Sequence, residues 1–245
     1  MTEPQFDAEQ LFDDDYLTLF AGQLEQRSDA EADLIWRLLD LRPGLQVLDL
    51  ACGHGRIASR LAARGCQVTG LDFSAVFLQR ARQDAAERGV NVDYVLGDMR
   101  DLPWRGRFDR VVSWYTAFGY FDDAQNRRVL AQVAAALKPG GRFGIELNNY
   151  PALTRGYLPS AITEHDGVLV IDQYRLDPLT GRSVVMRRIV RAGQVREIPY
   201  FTRLFTFPEL RDWLLAAGFS AADGNGEDGA PLTAEHRRMI TVAVK

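Results

Sequence analysis

The sequence has little cysteine and almost no lysine. Only Cys52 and Cys66 occur among 245 residues, which is too few for a disulfide framework and lacks the paired spacing of a metal site. We therefore expect a reduced, cytoplasmic protein that binds no metal. Lys138 and Lys245 are the only lysines, so arginine carries nearly all of the positive charge.

The chain also has no long apolar run and no strong excess of either charge. No apolar stretch approaches the roughly 20 residues of a membrane-spanning helix, and the acidic N-terminus does not resemble a signal peptide. The 29 basic and 33 acidic residues give a net charge of -4, which offers little attraction to nucleic acid or to an anionic membrane. These absences favour a small-molecule partner and leave a homodimer open.

Residues 47–64 contain a strand, a glycine turn and a helix in direct succession. The apolar run VLDL is followed by ACGHG and then by the amphipathic segment RIASRLAAR, which aims the N-terminus of a helix at a ligand. Gly53, Gly55 and Ala58 match the dinucleotide fingerprint G-x-G-x-x-G/A, and Asp72 lies near the ~20-residue offset of an acid that binds ribose hydroxyls. NAD-dependent enzymes and adenosine-based methyl donors share this pattern.

Strand and helix patterns alternate along most of the chain. A helix is predicted at 12–24, and a second begins at Ser28, which forms with Glu31 the sequence of a capping box. Strands are predicted near 47–50, 67–72, 92–96, 108–114 and 142–148, and Ser74 is predicted to cap the helix that follows the second strand. This alternation predicts an α/β fold with a doubly wound, Rossmann-like parallel sheet whose ligand lies at the carboxyl ends of the strands. Three strand patterns between 168 and 205 predict an antiparallel insertion, and a helix at 207–218 and a strand at 239–244 return to the main sheet.

Two acidic residues help to separate the possible cofactors. Asp49 stands at the end of the first strand, where its carboxylate would repel a pyrophosphate but tolerate a cationic ligand. Asp98 follows the third strand in the sequence GDM, where it can accept a hydrogen bond from an exocyclic amine such as that of adenine. Both positions favour an adenosine-based methyl donor over NAD.

Together, the motifs VLDLACGHG, GLDFS, GDM and LKPGG resemble those of the class I S-adenosylmethionine-dependent methyltransferases. The resemblance covers 47–148 and 205–245 and implies a seven-stranded sheet whose final strand is antiparallel. It also implies S-adenosylmethionine as methyl donor and S-adenosylhomocysteine as product. In the family, the positions of Asp49, Gly53 and Gly55 approach the methionine part, Asp72 the ribose, Phe73 the adenine face, and Asp98 with Met99 the adenine edge.

Ala51 stands where the family usually has glycine, as it does in the glycine and amino-sugar N-methyltransferases. That subgroup also carries an arginine that binds the methionine carboxylate and a tyrosine in an N-terminal lid, to which Arg27 and Tyr16 are similar. The resemblance implies a helical lid at 1–45, a cofactor-binding domain at 46–149 and 205–245, and an insertion at 150–204 that covers the substrate or contacts a second subunit. It favours in-line methyl transfer to nitrogen, with oxygen or carbon as alternatives.

The segment 114–121 places five aromatic residues after the fourth strand, where the acceptor would meet the methyl group; Trp114 is a candidate cofactor contact. A hydroxyl acceptor needs a base, whereas an amine has only to arrive neutral. Candidate bases are Tyr16, Tyr115, Glu146 and His165. We interpret the insertion arginines, Arg187 among them, as a solvated face rather than a site for an acidic substrate. A dinucleotide-dependent oxidoreductase and a non-catalytic cofactor-binding protein stay open as other functions.

Overall fold

A computed structural model describes residues 7–245 as an alternation of helices and strands. The helices are α1 Ala8–Leu11, α2 Asp14–Leu38, α3 Arg56–Ala63, α4 Ala75–Glu87, α5 Asp123–Ala136, α6 Tyr150–Arg155 and α7 Phe207–Ala216. The strands are β1 Gln46–Leu50, β2 Gln67–Asp72, β3 Asp93–Leu96, β4 Phe108–Ser113, β5 Leu137–Asn148, β6 Ser160–His165, β7 Val168–Asp177, β8 Arg182–Arg191, β9 Gln194–Arg203, β10 Ala221–Asn225 and β11 Arg238–Val244.

The main sheet has seven strands in the order β10-β11-β5-β4-β1-β2-β3. The strand β11 is antiparallel to both neighbours, while β1 to β5 pair in parallel. This confirms the predicted doubly wound α/β fold and its antiparallel final strand. The strand order reverses between β1 and β4, and the carboxyl ends of parallel strands at such a point form the usual ligand site.

Helices cover both faces of this sheet because its central strands are apolar on both sides. On β1, Leu48 and Leu50 pack with α5 and α7, whereas Val47 packs with α2, α3 and α4. All three side chains are completely buried. The alternation of side chains along the strand therefore divides the core into two layers, and the polar Asp49 stands one residue before the end of the strand, on the same face as Val47.

The two predicted N-terminal helices form one continuous helix, α2. Ser28 was expected to cap a second helix, but its hydroxyl donates to the carbonyl of Leu24 at 2.7 Å, one turn back. Glu31, the expected partner in a capping box, pairs instead with Arg56 of α3. A long-range ion pair has thus replaced the local cap. Within residues 7–245, no helix combines the length and apolar character needed to span a bilayer.

The antiparallel insertion forms a separate sheet in the order β6-β7-β8-β9. Three of its strands agree with the sequence patterns, but β6 was not predicted because most of its residues are exposed and its pattern is polar. One face packs on the N-terminal helices, where Leu11 and Leu19 contact Val170, Val185 and Ile198. The insertion and α2 are therefore held against each other by an apolar cluster.

The glycine turn yields a prediction about packing. A Cβ on Gly55 would lie 2.9 Å from Ala81 Cβ and would collide with the Tyr94 hydroxyl, and its φ is +78°. We expect Gly55→Ala to lower the free energy of unfolding by about 2–4 kcal/mol, since a left-handed residue and overpacking each add to the cost. Gly89→Ala is the matched control, because φ is +67° and a Cβ meets nothing within 4 Å. If urea denaturation showed that the two variants lose the same free energy of unfolding, the packing argument would be contradicted.

Candidate active site

A cavity of about 1850 Å³ lies at the carboxyl ends of β1 to β4. Its walls come from the turns after these strands, from α2, and from β8 and β9 of the insertion. Pockets for one drug-sized ligand usually measure ~300 to 1,000 Å³, so this cavity has room for a cofactor and a second molecule. Most of the predicted site residues line it: Tyr16, Asp49, Ala51, Gly53, Asp72, Phe73, Asp98, Met99, Trp114 and Tyr115.

Two residues predicted to bind the cofactor do not line the cavity. Gly55 faces Tyr94 and Ala81 and serves the close packing of α3 on its neighbours. Arg27 lies in the middle of α2, where its Nε donates to Glu31 at 2.5 Å and its side chain is nearly half exposed. The sequence offset alone did not show which way this arginine points.

His165, a predicted base, also lies outside the cavity. It ends β6, and its ring packs against Phe20 with centroids 6.2 Å apart. Ala161 on the same strand does line the cavity, but four residues of extended chain separate the two positions by about 13 Å. The structure therefore gives His165 no access to a molecule held over the main sheet.

The carboxylate of Asp49 is buried at the end of β1 and only 3% exposed. Its Oδ2 has no hydrogen-bond partner among the described residues. Burial raises the pKa of Asp49 to about 7, although the positive charge of Arg56 works in the opposite direction. A buried acceptor oxygen without a donor is costly, so this position suits a cationic ligand.

Two further aspartates at the carboxyl ends of the strands have oxygens that accept hydrogen bonds from the protein. Asp72 accepts the N–H of Gly53 at 2.8 Å and the N–H of Ser74 at 2.9 Å, which ties the glycine turn to the end of β2. Asp98 binds the guanidinium and backbone N–H of Arg100. Burial opposes its ionisation, but the bonds from Arg100 outweigh this effect and lower the pKa of Asp98.

Arg56, the first residue of α3, was not singled out from the sequence. Its side chain is buried, lines the cavity and pairs with Glu31, whose other oxygen is bound by Arg27. Two guanidiniums thus share one carboxylate, and the group has excess positive charge beside the cavity. A cation at the first position of a helix is unfavourable for the helix dipole, and that local conflict was the signal in the sequence.

The segment after β4 has a strained backbone. Tyr115 and Thr116 have φ of 63° and 55°, a region that costs an L-residue about 1–2 kcal/mol. Glu146 on β5 accepts the N–H of Tyr115 at 2.6 Å and also pairs with Arg238 on β11, which donates to the Thr116 hydroxyl at 2.6 Å. Both oxygens of Glu146, a predicted base, are therefore engaged in holding this segment.

An aromatic cluster forms the wall between α2 and the main sheet. Phe12 lies at its centre, with ring centroids 5.3 Å from Tyr16, 6.1 Å from Phe73, 6.2 Å from Phe77 and 5.6 Å from Tyr120. All five rings line the cavity. Phe12 and Phe77 were not predicted, because nothing in the local sequence distinguishes them from ordinary core residues.

Several titratable groups in the cavity wall are neutral at pH 7. Burial raises the pKa of the phenols of Tyr16, Tyr120 and Tyr200 well above the ordinary value. Burial also lowers the pKa of His54 to about 4, so its imidazole is uncharged at neutral pH. These side chains can donate or accept hydrogen bonds, but none is a strong base.

The insertion contributes Arg187 to the cavity, which corrects the expectation of a solvated face. Its side chain is 12% exposed and forms two hydrogen bonds of 2.8 Å with Asp172. The neighbouring Arg188 pairs with Glu197 and is more exposed. Successive residues of a strand point to opposite faces, so only one of these arginines reaches the cavity.

Comparison with known proteins identifies the family. A model described as a methyltransferase domain matches residues 47–141. A demethylmenaquinone methyltransferase of Thermus thermophilus is 32% identical over 200 residues, covering 77% of this chain and 83% of that protein. The chain belongs to the class I S-adenosylmethionine-dependent methyltransferases.

Other relatives of this methyltransferase differ in the atom named in their activity. A ubiquinone biosynthesis O-methyltransferase of Erwinia tasmaniensis is 40% identical over 100 residues, which is 40% of each chain. The sugar N-methyltransferase KedS8 of Streptoalloteichus has the same fold, with a TM-score of 0.70, 22% identity and coverage of 100% and 97% of the two chains. Methyltransferase membership makes S-adenosylmethionine the cofactor and excludes the oxidoreductase alternative, but the methylated atom is left open.

The buried carboxylate of Asp49 predicts a pH-dependent stability for the ligand-free methyltransferase. Its folded pKa of about 7 lies above the unfolded value near 4, so the folded state favours the protonated form. The stabilisation is present below pH ~4 and is lost as the pH rises through 7. We expect Asp49→Asn to unfold with a free energy up to about 4 kcal/mol higher than wild type at pH 8, and nearly equal at pH 4.

The same variant should lose affinity for the donor, by about tenfold or more at pH 8, because an amide cannot balance a cation. Urea denaturation and calorimetry measure the two effects separately. Asp93→Asn, at an exposed position, is the control and should change neither by more than about 0.5 kcal/mol. A stability difference that is constant from pH 4 to pH 8 would rule out the buried charge as its cause.

The Glu146–Arg238 pair predicts a large loss of stability from a single truncation. Glu146→Ala leaves the largely buried guanidinium of Arg238 without its carboxylate and the N–H of Tyr115 without its acceptor, which should cost about 3–5 kcal/mol in urea denaturation. Glu197→Ala removes an exposed carboxylate that also pairs with an arginine and should cost at most about 1 kcal/mol. Similar costs for the two variants would show that Glu146 does not restrain the segment.

Proposed function

We propose that this methyltransferase transfers the methyl group of S-adenosylmethionine to a nitrogen of a small-molecule acceptor. The proposal rests on the protonation, the hydrogen bonding and the placement of the possible bases around the cavity. Tyr16, Tyr120 and Tyr200 are neutral phenols, both oxygens of Glu146 are engaged, and His165 lies outside the cavity. A hydroxyl acceptor would need one of these, or Tyr115, another phenol of the cavity wall, to take its proton, whereas a neutral amine attacks without a base.

The residues at the carboxyl ends of the strands fit the donor. The unpartnered Oδ2 of Asp49 would balance the positive charge of the donor. Gly53 has no side chain, so its backbone would lie close to the donor, and Ala51 lies in the same turn. Asp72 keeps lone pairs for ribose hydroxyls beside its two backbone bonds. Phe73, Met99 and Trp114 supply apolar surface, and Asp98 supplies a carboxylate at the far side of the same edge.

We assign the methionine carboxylate to Arg56 rather than to Arg27. Only Arg56 lines the cavity, and because two guanidiniums share Glu31, a carboxylate there would complete the charge balance. Arg27 would contribute only indirectly, because it pairs with the same carboxylate of Glu31 as Arg56 does. The family resemblance suggests an arginine of α2, Arg27, for this role, whereas we propose Arg56, which lies across the helix interface on α3 and lines the cavity.

When bound, S-adenosylmethionine supplies an activated methyl group. The protein's part is to orient the acceptor and to exclude water. Residues 7–38 act as the lid, since Phe12 and Tyr16 close the cavity over Phe73. The insertion acts as the cover, since β8 and β9 form the opposite wall, and its alternative role in a homodimer stays a prediction.

Transfer to oxygen is the second candidate. It is favoured by the name of the Erwinia tasmaniensis relative, an O-methyltransferase with 40% identity over 100 residues. On this alternative, a tyrosine of the cavity wall would have to take the hydroxyl proton. Tyr16 is the residue to test, because it lines the cavity and was predicted from the lid motif.

The two candidates predict different products and different responses to Tyr16→Phe. We expect labelled methyl groups to appear on nitrogen when hexosamines, simple amines, phenols and catechol are offered, as located by NMR of the product. Tyr16→Phe should then lower kcat by less than about tenfold, whereas loss of a general base costs about 10² to 10⁴. Methyl groups on oxygen, with a large effect of this variant, would overturn nitrogen transfer. Donor binding without any transfer would support a non-catalytic protein.

A further inference from the structure

Arg187 lies where three segments of the chain meet at the cavity wall. It stands on β8, with its Cζ 5.0 Å from the ring centre of Phe20 on α2 and 5.6 Å from that of Tyr200 on β9. Arg187, Phe20 and Tyr200 all line the cavity. The guanidinium is thus held between an aromatic ring of α2 and one of the insertion.

Asp172 fixes one edge of this guanidinium and leaves another free. Nε and Nη2 of Arg187 donate to the two oxygens of Asp172 at 2.8 Å each, and the hydroxyl of Tyr174 donates to the same carboxylate at 3.2 Å. Nη1 bonds to no described residue and is not among the buried atoms without a partner. Its donors are therefore open to the cavity that the residue lines.

The charge of the site favours a neutral ligand group. Arg187 and Asp172 are both nearly buried, with side chains 12% and 11% exposed, and together they carry no net charge. A carboxylate brought beside them would lack an unpaired cation in a low-dielectric wall, where desolvation of a charge is costly. A hydroxyl, ether or carbonyl oxygen needs only a donor, and Nη1 supplies one.

We propose that the Arg187–Asp172 pair is the acceptor-selecting site of this enzyme, and that it binds a neutral oxygen of an amine-bearing ring and rejects a carboxylate at the same place. The aromatic walls fit a ring, and the free edge of Arg187 fixes its orientation through one oxygen. The proposal rests on the proposed nitrogen transfer for the amine, but the site can be tested by binding alone.

A matched set of cyclic amines tests this selection on the protein loaded with S-adenosylhomocysteine. Cyclohexylamine has no oxygen, glucosamine has neutral oxygens, and 2-amino-2-deoxyglucuronate adds a carboxylate. For the wild type we expect glucosamine to bind about tenfold or more tighter than either of the others, as measured by calorimetry or ligand-observed NMR.

Two variants change the charge of the pair in different ways. Asp172→Asn leaves Arg187 with an unbalanced positive charge, so the glucuronate should bind about tenfold tighter than it does to wild type. The double variant Arg187→Met/Asp172→Asn removes both charges and should weaken glucosamine about tenfold while leaving cyclohexylamine unchanged. Arg188→Met is the control, because that side chain is on the other face of β8 and pairs with Glu197.

The outcomes separate the recognition from the reaction. Glucosamine that binds as expected but receives no methyl group supports the recognition and counts against nitrogen transfer to this amine. The recognition is overturned if glucosamine does not bind to the wild type, or if Asp172→Asn fails to improve glucuronate binding. The recognition is also overturned if Arg188→Met weakens glucosamine binding as much as the double variant does. Unchanged affinity for S-adenosylhomocysteine shows that each variant is folded.

Discussion

Three aspartates lie at one edge of the main sheet, and the balance of their charges shapes the site. Asp72 is satisfied by two backbone N–H groups, and Asp98 by Arg100. Asp49 is the most deeply placed, yet its Oδ2 has no partner among the described residues. The fold thus satisfies two carboxylates internally and leaves one oxygen of the third without a partner beside the cavity, which is the arrangement on which the proposed binding of a cationic donor rests.

Pairing of opposite charges also holds α2 against α3. Arg56, Arg60 and Arg64 follow one another along α3 at helical spacing and pair with acidic residues of α2: Glu31, Glu25 with Asp29, and Asp33. The planar guanidinium can bind two acceptors at once, and Arg60 does so. The interface between α2 and α3 is therefore largely ionic at its surface, whereas the contact of α2 with the insertion is apolar.

Local patterns predicted the features that depend on neighbouring residues in the chain. The strands β1, β2 and β4, the cap at Ser74 and the glycine turn followed from periodicity and turn chemistry, and the structure has them at nearly the predicted positions. The misses depend on distant contacts. Ser28 and Glu31 have the sequence of a capping box, and only the approach of Arg56 makes them part of a continuous helix. Likewise, Arg187 differs from Arg188 only in the face of the sheet to which it points.

Backbone strain near the cavity links the last strand of the chain to the site. Ala51, Tyr115 and Thr116 all have positive φ and lie after β1 and β4, the two strands between which the order reverses. Such conformations persist only where the surroundings enforce them. For Tyr115 and Thr116 the enforcing groups are Glu146 on β5 and Arg238 on β11. The antiparallel β11 therefore does more than complete the sheet, because its first residue holds a segment that lines the cavity.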